Sequence, residues 1–195
     1  AGIARGADDV HRLALPRLVE LGADVTVIND EPNGFNINDN CGSQHTEQLR
    51  RTVLETGAVL GLAFDGDADR VFVVDEQGNG LSGSTTTAML AAAVLRTNPG
   101  ATILHNLICS RAVPEVVREN GGVPVRTQVG HSYIKQRMAE TGAVFGGEHS
   151  AHYYFARNYR ADSGLIASLL MPHETSPTGQ TRPALSHPSE RYAAS

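Results

Sequence analysis

Three acidic side chains at alternate positions are the feature of this sequence with the clearest chemical meaning. Asp65, Asp67 and Asp69 are separated only by Gly66 and Ala68, and apolar, β-rich residues flank the stretch on both sides. Small residues let the backbone curl, so all three carboxylates can point to one centre. Close carboxylates repel one another unless a cation binds them, and their oxygens suit Mg²⁺ or Ca²⁺. The pattern predicts a divalent-metal site in a tight loop at a strand end.

The residue that follows, Arg70, adds a fixed positive charge whose planar group is well shaped to hold a phosphate or a carboxylate. Two other interpretations of the acidic loop are weaker. A plain hairpin turn needs one aspartate rather than three. An EF-hand starting at Asp65 would place Glu76 at the twelfth loop position, but Arg70 then occupies the sixth, where that loop needs glycine. A metal site is therefore the favoured interpretation.

A second polar loop, at residues 146–152, follows a short buried strand. Ligands of open α/β sheets bind at the carboxyl ends of the strands, so Glu148 is expected to emerge there. In an extended segment Glu148 and Ser150 point the same way, and an acceptor beside a hydroxyl suits the hydroxyls of a sugar. A polar turn between two strands is the alternative. His149 and His152 are expected to be surface or hydrogen-bonded histidines rather than metal ligands, because no cysteine lies near them.

A third candidate loop lies where residues 128–135 begin a helix. Gly130 and His131 open that helix, so its unpaired N–H groups and positive dipole end favour an anion. Histidine is a common proton carrier and phosphate ligand, so His131 could carry a proton or bind phosphate. Lys135 lies one turn further along the same face. An ordinary helix start with a solvated lysine is the alternative.

The elements that must position these loops form two runs of alternating strands and helices, which predicts an α/β fold with two consecutive domains and mixed, largely parallel sheets. The domains are expected at residues 1–82 and 83–171, and residues 172–195, rich in proline, serine and threonine, are expected to be a disordered tail. The first domain is expected to start with a helix at 1–22 that lacks a preceding strand. Ser84 and Ser110 are expected to cap helices of the second domain. The predicted strands lie at 24–29, 59–64, 71–75, 102–107, 123–127, 143–145 and 153–156.

Composition narrows the choice of partners. The 195 residues carry a net charge of −5, so the chain has no basic excess for nucleic acid. No apolar run approaches a membrane span, and no signal segment opens the sequence. Cys41 and Cys109 lie far apart and form no C-x-x-C pair, which indicates buried thiols in a reducing compartment. We therefore expect a cytoplasmic protein without nucleic-acid or membrane partners.

Taken together, the stretches at 65–70, 129–135 and 146–152 resemble those of the α-D-phosphohexomutases, the superfamily of phosphomannomutase, phosphoglucomutase and phosphoglucosamine mutase. The resemblance covers residues 1–171 and implies reversible phosphate transfer between the 1- and 6-positions of a hexose phosphate, through an active-site phosphoserine and a hexose 1,6-bisphosphate. It implies that three residues hold Mg²⁺, that Arg70 and His131 are catalytic, and that four residues bind substrate. The metal ligands would be Asp65, Asp67 and Asp69. The substrate-binding residues would be Glu148, Ser150, His152 and Lys135.

Several features depart from the family pattern. The resemblance is to the second and third of four domains only, so the phosphoserine loop, the last domain and the first strand of the second domain are expected to be absent and the isolated chain inactive. Ile108 stands where many members have lysine, and Ala151 where many have glycine. Residues 36–43 are similar to phosphoglucosamine mutases and 61–162 to phosphomannomutases and phosphoglucomutases. A non-catalytic Mg²⁺ and sugar-phosphate-binding remnant, a phosphoglucosamine mutase and a metal-dependent phosphatase remain alternatives.

Overall fold

The structure, a computed structural model, describes residues 2–4, 13–30, 42–43 and 45–171. The predicted tail at 172–195 and most of the stretch at 31–44, with Cys41, lie outside these residues. The chain forms two compact units, one reaching as far as Leu81 and including the helix that starts at Gly164, the other spanning Ser82–Ser163. In chain order the elements are β1 (Gly2–Ala4), α1 (Leu15–Glu20), β2 (Thr26–Ile28), α2 (Glu47–Thr56), β3 (Leu60–Phe64), β4 (Val71–Asp75), α3 (Gly83–Thr97), β5 (Thr102–Asn106), α4 (Ala112–Glu119), β6 (Val123–Thr127), α5 (His131–Thr141), β7 (Phe145–Gly147), β8 (Tyr153–Phe155), β9 (Ala161–Asp162) and α6 (Gly164–Leu170).

The first unit is built on a four-stranded sheet in the order β2-β1-β3-β4. β1 runs parallel to β2 and β3, and β4 returns antiparallel to β3. Leu49 and Val53 lie one turn apart on α2 and are fully buried against Ala63 and Val74 of the sheet. Gly61 makes this close packing possible, because a Cβ there would lie 2.7 Å from Cγ2 of Val53. Five buried residues in β3 thus lead directly to the acidic loop.

The expectation of a helix at 1–22 without a strand before it is wrong. Gly2–Ala4 forms a parallel strand between β2 and β3, and the α-helix α1 spans Leu15–Glu20. Three residues are too few to show a strand period in the sequence, and the strand depends on pairing with neighbours on both of its edges.

The helix α6 packs with the first unit, although the sequence-based boundary placed its residues in the later domain. Its first residue, Gly164, donates its N–H to the carbonyl of Ala68 at 3.1 Å. A Cβ at Gly164 would lie 2.7 Å from the main-chain carbonyl of Arg70, so only glycine allows this approach without displacement. The start of α6 therefore braces the acidic loop.

The second unit has a five-stranded sheet in the order β6-β5-β7-β8-β9. β5 runs parallel to β6 and β7, and β8 and β9 are added antiparallel. One face of the sheet packs Leu104 and Tyr154 against Ile134 and Met138 of α5. The two mixed sheets and their helices confirm the predicted α/β fold with mixed, largely parallel sheets.

The start of α3 differs from the prediction in one detail. Ser82, rather than Ser84, is the N-cap, and its side chain accepts the N–H of Thr85 at 3.1 Å. Ser82 has the extended conformation that lets a cap oxygen reach the third N–H of the helix. Ser84 therefore lies inside the first turn of α3, and its hydroxyl does not cap the helix. No helix of the described residues has both the length and the apolar character needed to cross a membrane.

Candidate functional site

The acidic loop joins β3 to β4, and its three carboxylates converge. One oxygen from each of Asp65, Asp67 and Asp69 lies within 4.8 Å of the other two. Asp65 is buried, Asp67 is exposed and Asp69 is half-buried, so the group opens to solvent on one side. The turn is closed by the N–H of Ala68, which reaches the carbonyl of Asp65 at 3.2 Å. The convergence that the alternating spacing predicted is present in the structure.

Ala68 is in the left-handed conformation, with φ of +59°, and it is buried. This conformation costs a non-glycine residue about 1 kcal/mol and needs support from its surroundings. The support comes from Gly164, whose N–H holds the Ala68 carbonyl. The loop is therefore fixed from outside its own sequence, which favours a preformed arrangement of its side chains.

Arg70 is tied to the carboxylates beside it. Its Nε lies 2.5 Å from Oδ2 of Asp65, its main-chain N–H reaches Oδ1 of the same residue at 3.2 Å, and Nε lies 3.6 Å from Oδ1 of Asp69. The side chain keeps 33 % of its surface exposed. Arg70 therefore orients Asp65 while part of its side chain stays exposed to solvent.

Three carboxylates beside one guanidinium leave this loop with an excess of negative charge. The donor set consists of carboxylate oxygens on a tight turn, which is the chemistry that hard divalent cations require. Mg²⁺ retains several waters when it is bound by proteins, and the exposed side of the group at Asp67 leaves room for them. The residues present therefore fit a Mg²⁺ ion.

In the second unit, Glu148 follows β7 and is buried, with 3 % of its surface exposed. Its Oε1 accepts hydrogen bonds from Nδ2 of Asn106 at 3.2 Å and from the N–H of Gly130 at 3.1 Å. Its Oε2 accepts the hydroxyl of Tyr154 at 2.9 Å. The carboxylate thus joins the end of β5, the start of α5 and β8. Sequence reasoning identified Glu148 and missed the three groups that bind it.

Glu148 and Ser150 do not point the same way, contrary to the expectation for an extended segment. The loop turns instead: the N–H of Ala151 reaches the carbonyl of Glu148 at 3.1 Å, and Ala151 has φ of +68°. Ser150 is therefore exposed while Glu148 is buried. The Ser150 hydroxyl lies 3.0 Å from Nδ1 of His152, and that nitrogen lies 3.8 Å from Oε2 of Glu148. The turn brings Ser150 and His152 together at its surface.

His131 and Lys135 lie on the first turns of α5. His131 is exposed directly after Gly130, whose φ of +120° allows the sharp entry into the helix. The Lys135 ammonium lies 3.8 Å from Oδ1 of Asp162, so this lysine is ion-paired rather than simply solvated. Because Glu148 accepts the N–H of Gly130, the loop at residues 146–152 and the start of α5 are held together.

Three other ionisable side chains of the second unit are kept neutral by burial. Burial lowers the pKa of His105 below its ordinary value, and the positive charges of Arg126 and Arg118 act in the same direction. Burial raises the pKa of the Cys109 thiol to about 11. Burial also raises the pKa of Tyr153. These residues are therefore poor candidates for nucleophiles or proton carriers at neutral pH.

Two sequence models of one family match the chain. The model described as phosphoglucomutase/phosphomannomutase, alpha/beta/alpha domain II matches residues 8–80, and the one described as domain III of the same enzymes matches residues 82–192. The two matches are consecutive and lie on either side of Leu81.

Curated relatives and solved structures agree with these matches. A phosphoglucosamine mutase of Acetivibrio thermocellus is 41% identical over 165 residues, which are 84% of this chain and 36% of the relative. A phosphoglucosamine mutase of Lawsonia intracellularis is 39% identical over 85% of this chain and 37% of the relative. A phosphoglucomutase/phosphomannomutase family protein of Burkholderia thailandensis superimposes with a TM-score of 0.77 at 31% identity, over 86% of this chain and 38% of that one. The chain thus spans little more than a third of the length of these relatives.

Proposed function

Because the chain belongs to the phosphoglucomutase/phosphomannomutase family of α-D-phosphohexomutases, we propose that it forms part of an intramolecular phosphotransferase, an isomerase of hexose phosphates. The reaction is the reversible transfer of phosphate between the 1- and 6-positions of the sugar, through a phosphoserine and a hexose 1,6-bisphosphate. The convergence of three carboxylates beside Arg70 carries this proposal. The relatives from Acetivibrio thermocellus and Lawsonia intracellularis are phosphoglucosamine mutases, which supports it.

The first unit supplies the metal site. Asp65, Asp67 and Asp69 would hold Mg²⁺, which when bound neutralises charge on a transferring phosphoryl group. Arg70 has two tasks: its Nε fixes Asp65, and the rest of its guanidinium would hold a phosphate oxygen. Positioning and electrostatics provide most of the catalysis of phosphoryl transfer, so a preformed loop suits this reaction.

The second unit supplies groups for the sugar. Ser150 and His152, at the surface of the turn, would hydrogen-bond sugar hydroxyls. An ionised carboxylate has about four acceptor positions. Three of those on Glu148 are already used by Asn106, Gly130 and Tyr154. Glu148 therefore acts chiefly by fixing the loop, with one position left for a substrate hydroxyl.

The start of α5 supplies groups for an anion. The first N–H groups of a helix and its positive dipole end attract phosphate. His131 is exposed on this turn and would bind a phosphate oxygen or move a proton at its ring nitrogen. Lys135 would add positive charge, which it now shares with Asp162.

The proposed substrates are mannose or glucose 1- and 6-phosphates. N-acetylphosphoglucosamine mutase structures with the same fold hold glucose 1,6-bisphosphate or GlcNAc-6P, which belong to the same class of molecule. A glucosamine phosphate is the second candidate, because the curated relatives at 37–42% identity are phosphoglucosamine mutases. Doubly charged sugar phosphates do not cross membranes unaided, so we also propose a cytoplasmic location.

The metal site gives the most direct test. Asp67→Asn keeps the size of an exposed ligand and removes its charge, so we expect Mg²⁺ or Mn²⁺ affinity to fall about tenfold or more. Asp30→Asn removes an exposed carboxylate of the same unit outside the loop and should leave affinity unchanged. Isothermal titration calorimetry measures both variants against the original chain. Equal affinity for Asp67→Asn and the original chain would refute the metal assignment.

A further inference from the structure

The hydroxyl of Ser84 connects three parts of the second unit. Ser84 lies in the first turn of α3 and is buried, with 3 % of its surface exposed. Its Oγ lies 2.9 Å from Nδ1 of His149 and accepts the N–H of Ser110 at 3.0 Å. His149 belongs to the same turn as Glu148 and Ser150, and it is exposed. A buried hydroxyl thus anchors an exposed histidine of the proposed sugar-binding loop.

The packing of the loop against α3 leaves little freedom for this contact to change. A Cβ at Gly83 would collide with the carbonyl oxygen of His149, and a Cβ at Gly147 would collide with the side chain of Thr87. The two glycines, one on each element, let the backbones meet directly. The Ser84–His149 pair therefore lies within a fixed interface rather than on a mobile side chain.

The hydrogen bonds of Ser84 determine which nitrogen of His149 carries the proton. The hydroxyl already accepts one hydrogen bond from the N–H of Ser110, so its own hydrogen is available to donate. Among the described residues, the structure places Nδ1 of His149 and the thiol of Cys109 beside it as acceptors. A neutral imidazole nitrogen is a much better acceptor than a thiol sulfur. Ser84 thus donates to Nδ1, which leaves the proton of a neutral His149 on Nε2.

We propose that Ser84 is a positioning residue that fixes His149 as the Nε2–H tautomer, and that His149 donates this N–H to a hydroxyl or phosphate oxygen of the sugar phosphate. This proposal rests on the proposed function, because the ligand of His149 would be the sugar phosphate that the loop is proposed to bind. It adds a donor to the turn, whereas the Glu148 carboxylate is an acceptor already bound by Asn106 and Gly130. An N–H donor and the Ser150 hydroxyl would then address neighbouring oxygens of one sugar.

The tautomer is tested without any sugar. Long-range ¹H–¹⁵N NMR spectra of the full chain, recorded at about pH 8.5, well above the ordinary pKa of histidine, identify the protonated nitrogen of each ring. The spectrum of His149→Ala assigns the resonances of His149. We expect Nδ1 to be unprotonated in the original chain and the two tautomers to mix in Ser84→Ala. Protonation of Nδ1 in the original chain, or an unchanged ring spectrum in Ser84→Ala, would overturn the positioning role.

Binding is tested with glucose 6-phosphate by NMR titration. We expect Ser84→Ala and His149→Ala each to weaken binding about threefold to tenfold, and Ser84→Ala to have no further effect in the His149→Ala background, because residues that act through one another are not additive. Ser84→Thr, which keeps the hydroxyl, should restore binding. Ser110→Ala is the matched control, since it removes a neighbouring hydroxyl while its main-chain N–H still reaches Ser84.

Ser150→Ala separates failure of this proposal from failure of the proposed function. If Ser150→Ala weakens binding while Ser84→Ala and His149→Ala do not, the loop binds sugar phosphate and the role of His149 is overturned. If the original chain does not bind glucose 6-phosphate, the proposed substrate class and the donor role of His149 both fail. Additive effects of Ser84→Ala and His149→Ala would also refute the proposal, because Ser84 would then not act through the histidine.

Discussion

Glu148 is predicted to stabilise the second unit strongly, because its carboxylate is the acceptor for donors from three different elements. Asn106 and Tyr154 have no exposed surface, whereas Gly130 is half-buried and can exchange its partner for water. Glu148→Ala therefore removes the acceptor from two fully buried donors. Each such loss costs about 1–3 kcal/mol. The expected loss in the free energy of unfolding is thus about 2–6 kcal/mol, before any cavity is counted.

Glu148→Gln is the informative comparison, because it keeps the volume of the side chain and one acceptor oxygen. The amide oxygen can retain the bonds from Asn106 and Gly130, and the amide nitrogen can donate to the hydroxyl of Tyr154, which is able to accept. The charge assistance of the bonds is lost, and the Tyr154 hydroxyl hydrogen loses Oε2 as its acceptor, so a cost of about 1–3 kcal/mol, smaller than for Glu148→Ala, is expected. The contrast between the two variants separates loss of the acceptors from loss of the charge.

The assay combines urea denaturation followed by circular dichroism with hydrogen exchange. A chain with two units need not unfold in one step, so the exchange of the Gly130 amide gives the local measurement. Its protection should fall in both variants and most in Glu148→Ala. Glu140→Ala is the control, since Glu140 is exposed on α5 and its described hydrogen bonds are to Gln136 and Arg137 of its own helix. A denaturation midpoint and Gly130 protection in Glu148→Ala equal to those of the control would refute the reasoning.

Three further predictions concern packing and protonation. Gly61→Ala should destabilise the first unit by about 1–3 kcal/mol, because the new methyl would lie 2.7 Å from Val53, and Gly80→Ala, with no atom within 4 Å, is its control in urea denaturation. Alkylation of Cys109 by iodoacetamide, followed by mass spectrometry, should be slow at neutral pH and accelerate as pH rises toward its pKa of about 11; fast labelling at pH 7 would contradict this. The pKa of His105 is lowered by burial in the folded state, so below its ordinary value of about 6.5 the unfolded state binds the extra proton and stability falls with falling pH. His105→Asn should reduce that loss between about pH 7 and 5, and an unchanged pH profile would count against it.

The fold was predictable where the sequence signal is local and long. β3 is a continuous apolar run of five residues and α2 has an amphipathic stripe over ten, so the sequence identifies both elements. β1 was missed because a strand of three residues has no measurable period and depends on β2 and β3 for its hydrogen bonds. The contact of α6 with the acidic loop also escaped prediction, because it joins Gly164 to Ala68 across almost a hundred positions of sequence.

The two candidate loops also differ in how far neighbouring residues in the sequence determine their geometry. The carboxylates at 65–69 converge because their spacing and the small residues between them determine the geometry within one turn. At 146–152 the sequence indicates which residues carry chemistry but not where they point. Ala151 turns the chain, so Glu148 is buried and Ser150 exposed.

The direction of Glu148 changes the role that it can be assigned. A carboxylate that emerges into solvent would be a direct ligand for sugar, and its removal would weaken binding with little effect on folding. A buried carboxylate held by Asn106, Gly130 and Tyr154 sets the position of the loop and of the helix start that carries His131. Its removal should therefore weaken stability first, and binding only as a consequence. Variants of Glu148 are expected to change stability, and variants of Ser150 are expected to change binding. Measuring both the free energy of unfolding and the affinity for glucose 6-phosphate in variants of both residues shows whether each side chain fixes the loop or binds the sugar.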